Sequence, residues 1–202
     1  MTQCSETLFP FEAHFSRRVV GQFAGDRLTT EGGSLLLRQA ERKIGLLRRV
    51  AACFTDYRQP ERIEHRLEEM LAQRIYGLAL GYEDLNDHEQ LRQDPLLGVL
   101  AGKRDLGEPL AGKSTLNRLE LTPVGSPAAE RYNKISYSGK ALDTLLVDLF
   151  LEAHRHPVAR TAGSTFFPWL LRALLLPAAV CVLRRSSAGC TAAALEHRRE
   201  CR

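Results

Sequence analysis

A chain can bury a core only over a stretch whose composition supplies one, and here that stretch stops near His156. The 46 residues from Pro157 to Arg202 contain no Asp, Asn, Gln, Lys, Ile, Tyr or Met. They hold seven Arg against the two acids Glu196 and Glu200, which leaves 21 basic against 22 acidic residues before them. The net charge of +4 therefore comes from the tail, and any phosphate-binding surface in the body has to be a local patch. Two regions are expected: a domain-sized body, residues 1–156, and an aberrant tail, residues 157–202.

Cysteine usage points to a reducing, cytoplasmic setting. Cys4 and Cys53 lie in the body and Cys181, Cys190 and Cys201 in the tail, with no C-x-x-C and no spacing of a zinc site or disulfide framework. Glu6 and Glu12 flank Leu8-Phe9-Pro10-Phe11, so the start of the chain lacks the basic and apolar regions of a signal peptide.

The body reads as mainly α. Arg18 to Phe23 has the pattern of a short strand, with Gly25-Asp26 as its turn and Leu28-Thr29-Thr30 as its return, the one sheet expected. From Ser34 the apolar residues Leu37, Ala40, Ile44 and Leu47 recur with helical period among Arg38, Arg42, Lys43, Arg48 and Arg49. A helix from Pro60 to Gly81 is predicted to bury one stripe through Ile63, Leu67, Met70, Leu71, Ile75 and Leu78. Asn86 and Glu89 have capping-box spacing, and Asp94-Pro95 supplies the cap and first residue of a short helix. Ser114 is placed to cap Thr115 to Leu121, and Ser126-Pro127 to open another helix. Ser138 is placed to cap a last one with Leu142, Leu145, Leu146, Leu149, Phe150 and Ala153 inward.

Several motifs have a chemical and a plain reading. Gly107 to Ser114 matches a phosphate-binding P-loop letter for letter, and Asp148 could follow as a magnesium-holding acid. Against this, Lys103 to Leu106 is too polar for the buried strand a P-loop needs, and Pro109 removes an amide from the cradle. Glu83, Asp84, Asp87, His88 and Glu89 could form a metal or acid/base cluster, but capping explains them without one. His65 lacks the H-E-x-x-H order and is expected on a helix, at or near its surface; His154 and His156 suit a helix end. Thr115, Asn117 and Arg118 could be carried into a major groove by a helix-turn-helix, or belong to a plain bundle that binds other proteins and no DNA.

The order of these pieces carries a resemblance. Val19-Val20, Phe23, Leu28 to Gly33, Asp56-Tyr57-Arg58, His65, Gln73 to His88, Leu91 to Pro95 and Ser114 to Glu120 together resemble the N-terminal region of bacterial insertion-sequence DDE transposases. The run from Tyr76 to Asp87 is the most specific part, and the similarity spans about the first three-quarters of the chain. The resemblance implies a region that helps bind transposon ends and precedes a ribonuclease H-like domain, whose carboxylates hold two magnesium ions for phosphodiester attack. Its first catalytic Asp would follow the helix ending near His154, yet no Asp occurs after Asp148. No catalytic residue, metal ligand or cofactor is therefore expected in this chain, magnesium belonging to the intact family.

The tail offers a reason. Leucine codons of the form CTN, read one base later, become TNC and encode Phe, Ser, Tyr or Cys, and Pro168-Trp169-Leu170 becomes compatible with His-Gly-Tyr. Shifting Phe166 to Arg185 in this way permits a Tyr-rich string like the one that follows the first catalytic Asp in the family. The expectation is a frameshift, with residues also lost between Pro157 and Phe166. The competing reading is a membrane segment from Phe166 to Val182, which Arg172, Pro168 and Pro177 interrupt at the lower limit of spanning length; no membrane association is expected.

The chain thus reads as a catalytically inactive, DNA-end-binding part of a transposase, contacting DNA through Arg38, Arg42, Lys43, Arg48, Arg49, Lys113, Asn117 and Arg118. Full-length transposase or a second copy are its further expected partners. Translating the gene beyond the His156 codon in all three forward frames should reveal acidic, Tyr-rich sequence in another frame; stops in both others would contradict the frameshift.

Overall fold

The computed structural model describes residues 8–22, 29–122, 124 and 134–155. The chain divides into two compact units, one made of Met1–Ala51 with Ile63–Lys113 and the other of Ala52–Arg62 with Ser114–Arg202. Helices dominate both, each with one small antiparallel sheet among the described residues.

In the first unit β1 (Phe9–His14) pairs with β2 (Arg17–Gly21) through the two-residue turn Phe15-Ser16. The strand read at Arg18 is therefore real, but its partner precedes it rather than returning at Leu28 to Thr30, of which Thr29 and Thr30 are not strand. A turn of Phe and Ser lacks the Asn-Gly or Gly signal that marks two-residue hairpins, so the sequence concealed it. Helix α1 (Ser34–Ile44) ends at Gly45, whose φ of 67° lets its N–H reach the Glu41 carbonyl at 2.6 Å. The short α2 (Leu46–Ala51) follows at once.

The predicted helix from Pro60 starts late. Pro60–Arg62 makes one 3₁₀ turn, and α3 runs only from Leu67 to Ala79, so Ile63 and the half-buried His65 lie outside it. Glu69 sets that start: its carboxylate accepts from the Arg66 N–H at 3.3 Å and from the Arg66 guanidinium at 2.8 and 2.9 Å. Nor does α3 bury a single stripe, since Glu69 to Arg74, Tyr76 and Gly77 are all buried. After Gly81 (φ 94°), the Asp84 carboxylate, rather than an Asn86–Glu89 box, caps the 3₁₀ turn Leu85–Asp87 by accepting from Asn86 N–H at 2.9 Å. Next come α4 (His88–Leu91) and α5 (Pro95–Ala101), the latter capped by Asp94 as its sequence requires. Leu35, Ala72, Tyr76, Leu97, Leu100 and Leu110 form the centre of this unit's core.

Its polar interior is as specific as its apolar one. Gln73 is 1% exposed and answers the backbone of Ala111 at both ends, donating to its carbonyl at 2.9 Å and accepting from its N–H at 3.1 Å. Arg74 donates to the carbonyls of Tyr82 at 3.1 Å and Glu83 at 2.7 Å. Fully buried His88 lies between them, Nδ1 at 3.3 Å from the Gln73 amide nitrogen and Nε2 at 3.4 Å from Arg74. Both ring nitrogens face donors, and the neutral ring can accept from one of them whereas the cation could accept from neither; burial first, then the Arg74 charge, hold its pKa down at about 4, against a weaker pull from Asp87.

In the second unit β3 (Phe54–Asp56) pairs with β4 (Ile135–Tyr137), a sheet no local pattern announces because its strands are three residues long and have 78 residues between them, 57–134. Helix α6 runs from Lys113 to Glu120, a residue ahead of the predicted Ser114 cap, with Leu116 and Leu119 buried. Helix α7 (Gly139–Arg155) is capped by Ser138, whose Oγ accepts from Ala141 N–H at 3.3 Å. Leu142, Leu145 and Leu149 point inward as predicted, but Phe150 is 60% exposed. The helix expected after Ser126-Pro127 and the whole tail lie outside the described residues. Among those described, no helix is long and apolar enough to cross a membrane.

Two tests follow from the His88 site. A Cβ on Gly77 would sit 2.8 Å from the His88 Cε1, and that ring has no free space. Gly77→Ala should therefore lower stability by about 1–3 kcal/mol in urea unfolding despite the better helix propensity of Ala; a neutral result would mean that the ring moves. Between pH 6.5 and about 4 the unfolded chain binds a proton at His88 that the folded chain refuses, so stability falls as pH falls through this window. The loss is on the order of 3 kcal/mol. His88→Asn should remove most of that slope, and an unchanged slope would contradict the assignment.

Candidate nucleic-acid interface

The eight basic and amide residues singled out from the sequence fall into four settings. Arg38, on the buried face of α1, is 3% exposed: it donates to the carbonyls of Glu12 at 3.0 Å and Ala13 at 3.4 Å, and approaches His14 Nδ1 at 3.4 Å. Its helical position, four residues before Arg42, suggested a shared surface, but Arg38 instead ties β1 to α1. His14, 1% exposed, donates from Nε2 to the Lys103 carbonyl at 2.7 Å, which leaves Nδ1 to accept from Arg38. Burial lowers the His14 pKa, as do the charges of Arg38, Arg17 and Arg42, while the Lys103 bond opposes them.

The second setting is the corner between α1 and α2. Arg42 and Lys43 occupy the last turn of α1, Gly45 turns the chain in the left-handed region, and Arg48 and Arg49 follow in α2. Arg42, Lys43 and Arg48 are exposed; Arg49 is half-buried. Arg48 folds back over the turn, with Nη2 3.7 Å from where a Cβ on Gly45 would lie. Arg42 donates to the Glu12 carboxylate at 2.8 Å, both side chains 43% exposed. Such a solvent-screened pair is weak, so a phosphate can replace its carboxylate.

Lys113 forms the third. Its side chain is exposed, yet its N–H donates to the Glu89 carboxylate at 3.0 Å and Nζ to Asn86 Oδ1 at 3.2 Å. These bonds also answer the P-loop reading. The Leu110 N–H donates to the Arg92 carbonyl, the Ala111 N–H to Gln73 and the Lys113 N–H to Glu89, so amides that would cradle a phosphate are already used, one of them by a carboxylate. No strand precedes the loop; Leu106 follows a stretch of turn and bend after α5. The acidic run from Glu83 to Glu89 is likewise divided, with Asp84 capping and His88 turned into the core. Among the described residues, no three His, Cys, Asp or Glu side chains are grouped to hold a metal.

The fourth setting is α6 in the second unit. Leu116 and Leu119 bury one face and present Asn117 and Arg118 on the other, both exposed, with Thr115 half-buried. Nothing in the spacing of these residues singled out a further basic group, Arg17, Arg18 and Arg104, all exposed in the first unit. The run Ser16-Arg17-Arg18 between Phe15 and the apolar pair Val19-Val20 was the signal, since a polar run of that kind marks a hairpin end.

Comparison with known proteins gives one result of substance. No curated protein and no solved structure matches the chain. The family model described as transposase DDE domain group 1 matches residues 11–161, three-quarters of the sequence and nearly all of the patterned body. By the extent of that match, the chain belongs to the DDE transposase family.

Proposed function

We propose that this chain is the DNA-end-binding and assembly portion of an insertion-sequence transposase, with its reading frame lost near His156 before the catalytic carboxylates. The observation that carries the DNA-binding reading is the α1–α2 corner. In a body whose net charge is −1, exposed Arg42, Lys43 and Arg48 gather within seven residues around one turn, with Arg49 beside them. Phosphate contacts need this local density and not a basic protein. Lys113, Asn117 and Arg118 are the second group in the proposal; Arg38 is left out because its guanidinium is spent on the hairpin.

Support for the lost frame comes from the family match, which gives out at residue 161, five positions past the compositional change at His156. Binding without catalysis would make the chain an inhibitor of the intact enzyme, through competition for transposon ends or through mixed assemblies. A second reading, a protein-interaction module that binds no DNA, draws on α7, where Val147, Phe150 and Leu151 are exposed on neighbouring turns.

The purified chain should bind a duplex carrying the element's terminal repeat in preference to random duplex at moderate salt. Lys43→Ala and Arg48→Ala should each weaken that binding and reduce the slope of log K against log salt by about 1. Equal affinity for both duplexes would defeat the end-binding role, and association with intact transposase without any DNA shift would favour the interaction module.

A further inference from the structure

The β1–β2 turn holds a side chain that the fold does not need. Phe15 has a φ of 52°, the one positive φ outside glycine among the described residues, and its ring is 54% exposed. A two-residue hairpin turn with positive φ at its first position is glycine's place, so a bulky ring there is both strained and wet. Nothing in the packing of β1 on β2 explains that choice.

The ring is nevertheless held firmly. The buried His14 imidazole meets it edge-on at 4.8 Å and 75°, and His14 is itself anchored by the Lys103 carbonyl at 2.7 Å. The next residue, Arg104, lies over one face of the ring with its guanidinium carbon 5.6 Å from the ring centre, so that a further stacking partner meets the other face. Arg17 and Arg18 leave the turn on β2, both exposed. Asp105, next to Arg104 in the chain, accepts from the Gly107 N–H at 2.9 Å. The hairpin tip therefore presents a pre-positioned aromatic ring beside Arg104, with two exposed arginines on the adjoining strand.

From this geometry we infer that the tip is a stacking platform for an unpaired nucleobase: Phe15 stacks on the base while Arg17, Arg18 and Arg104 neutralise the adjoining phosphates. An exposed ring flanked by cations suits single-stranded or frayed DNA, because every base offers a π-face whereas the edges of paired bases are reached by other means. The inference rests on the DNA-binding reading above and gives it a substrate feature, the unpaired end of a duplex. A ring fixed by His14 and Arg104 loses little freedom on stacking, which suits a platform rather than an adaptable contact.

The test compares a blunt duplex with the same duplex carrying a short unpaired tail, 2-aminopurine being the first unpaired base. The intact chain should bind the tailed form about tenfold more tightly and quench the 2-aminopurine. Phe15→Gly, which relieves the backbone strain and should keep or raise the melting temperature, should abolish both effects and leave blunt-duplex affinity unchanged. Phe15→Trp should retain both, and Arg104→Gln, away from the strained turn, should weaken tailed binding alone. Blunt-duplex binding without tail preference, or tail preference surviving in Phe15→Gly, overturns the platform while sparing the DNA-binding reading. Absence of binding to either DNA overturns both. Self-association lost in Phe15→Gly with tail preference intact would overturn it in favour of a protein contact.

Discussion

A helix that carries a glutamine and an arginine into the interior must give them partners there, because each unsatisfied buried polar group costs more than a net hydrogen bond returns. Helix α3 meets this demand with backbone drawn from distant parts of the chain: Gln73 takes both polar groups of Ala111, and Arg74 takes the carbonyls of Tyr82 and Glu83. The segment leaving α3 and the loop before α6 are thereby fixed to one helix. His88 completes the arrangement only while neutral, and Gly77 makes room for it by having no side chain. The apolar core around Tyr76 and Leu97 supplies the bulk of the burial, but these polar bonds decide which loop lies where.

The hairpin is governed by the same logic. Arg38 and His14 are buried together, one satisfying carbonyls of β1 and the other a carbonyl at Lys103. Their pairing keeps Arg38 from the surface and leaves Arg42 and Lys43, one turn on, to face solvent with Arg48. Scaffold and basic corner are thus neighbouring residues of one helix, separated by burial and not by chemistry. For a region proposed to contact transposon ends, this separation matters, since a phosphate-binding arginine must be free to exchange a weak carboxylate partner and a structural one must not.

Much of the helical architecture was legible. Asp94-Pro95 and Ser138 cap as their residue types require, Gly81 follows the end of its helix, and Leu142, Leu145 and Leu149 turn inward with the expected period, whereas the break at Gly45 interrupts a helical pattern read through to Leu47. Where the reading erred, either a local polar contact or a partner distant in the chain overrode the apolar spacing. Apolar spacing extended α3 back to Pro60, but Arg66 and Glu69 start it later. The second sheet joins two three-residue strands whose pairing no local pattern announces. Among the basic residues, periodicity identified the cluster from Arg38 to Arg49 without separating its buried member from its exposed ones, because arginine can serve a carbonyl or a phosphate with the same guanidinium.

Residue order along the body was enough to identify a transposase, and the family match agrees, because a long ordered run of shared residues needs no knowledge of folding. Composition alone likewise marked the change at His156 and confined the positive charge excess to the residues beyond it. Folding settled matters that depend on contacts distant in the chain: that His88 is a neutral core residue and not a ligand, that the amides of Leu110, Ala111 and Lys113 are occupied, and that Arg38 is internal. It also set Phe15 in solvent beside Arg104, some ninety positions away, a juxtaposition created when His14 bonds to Lys103. Hydrogen bonds between buried groups are specific in space and silent in sequence spacing, so such assignments emerge only when the chain has closed on itself.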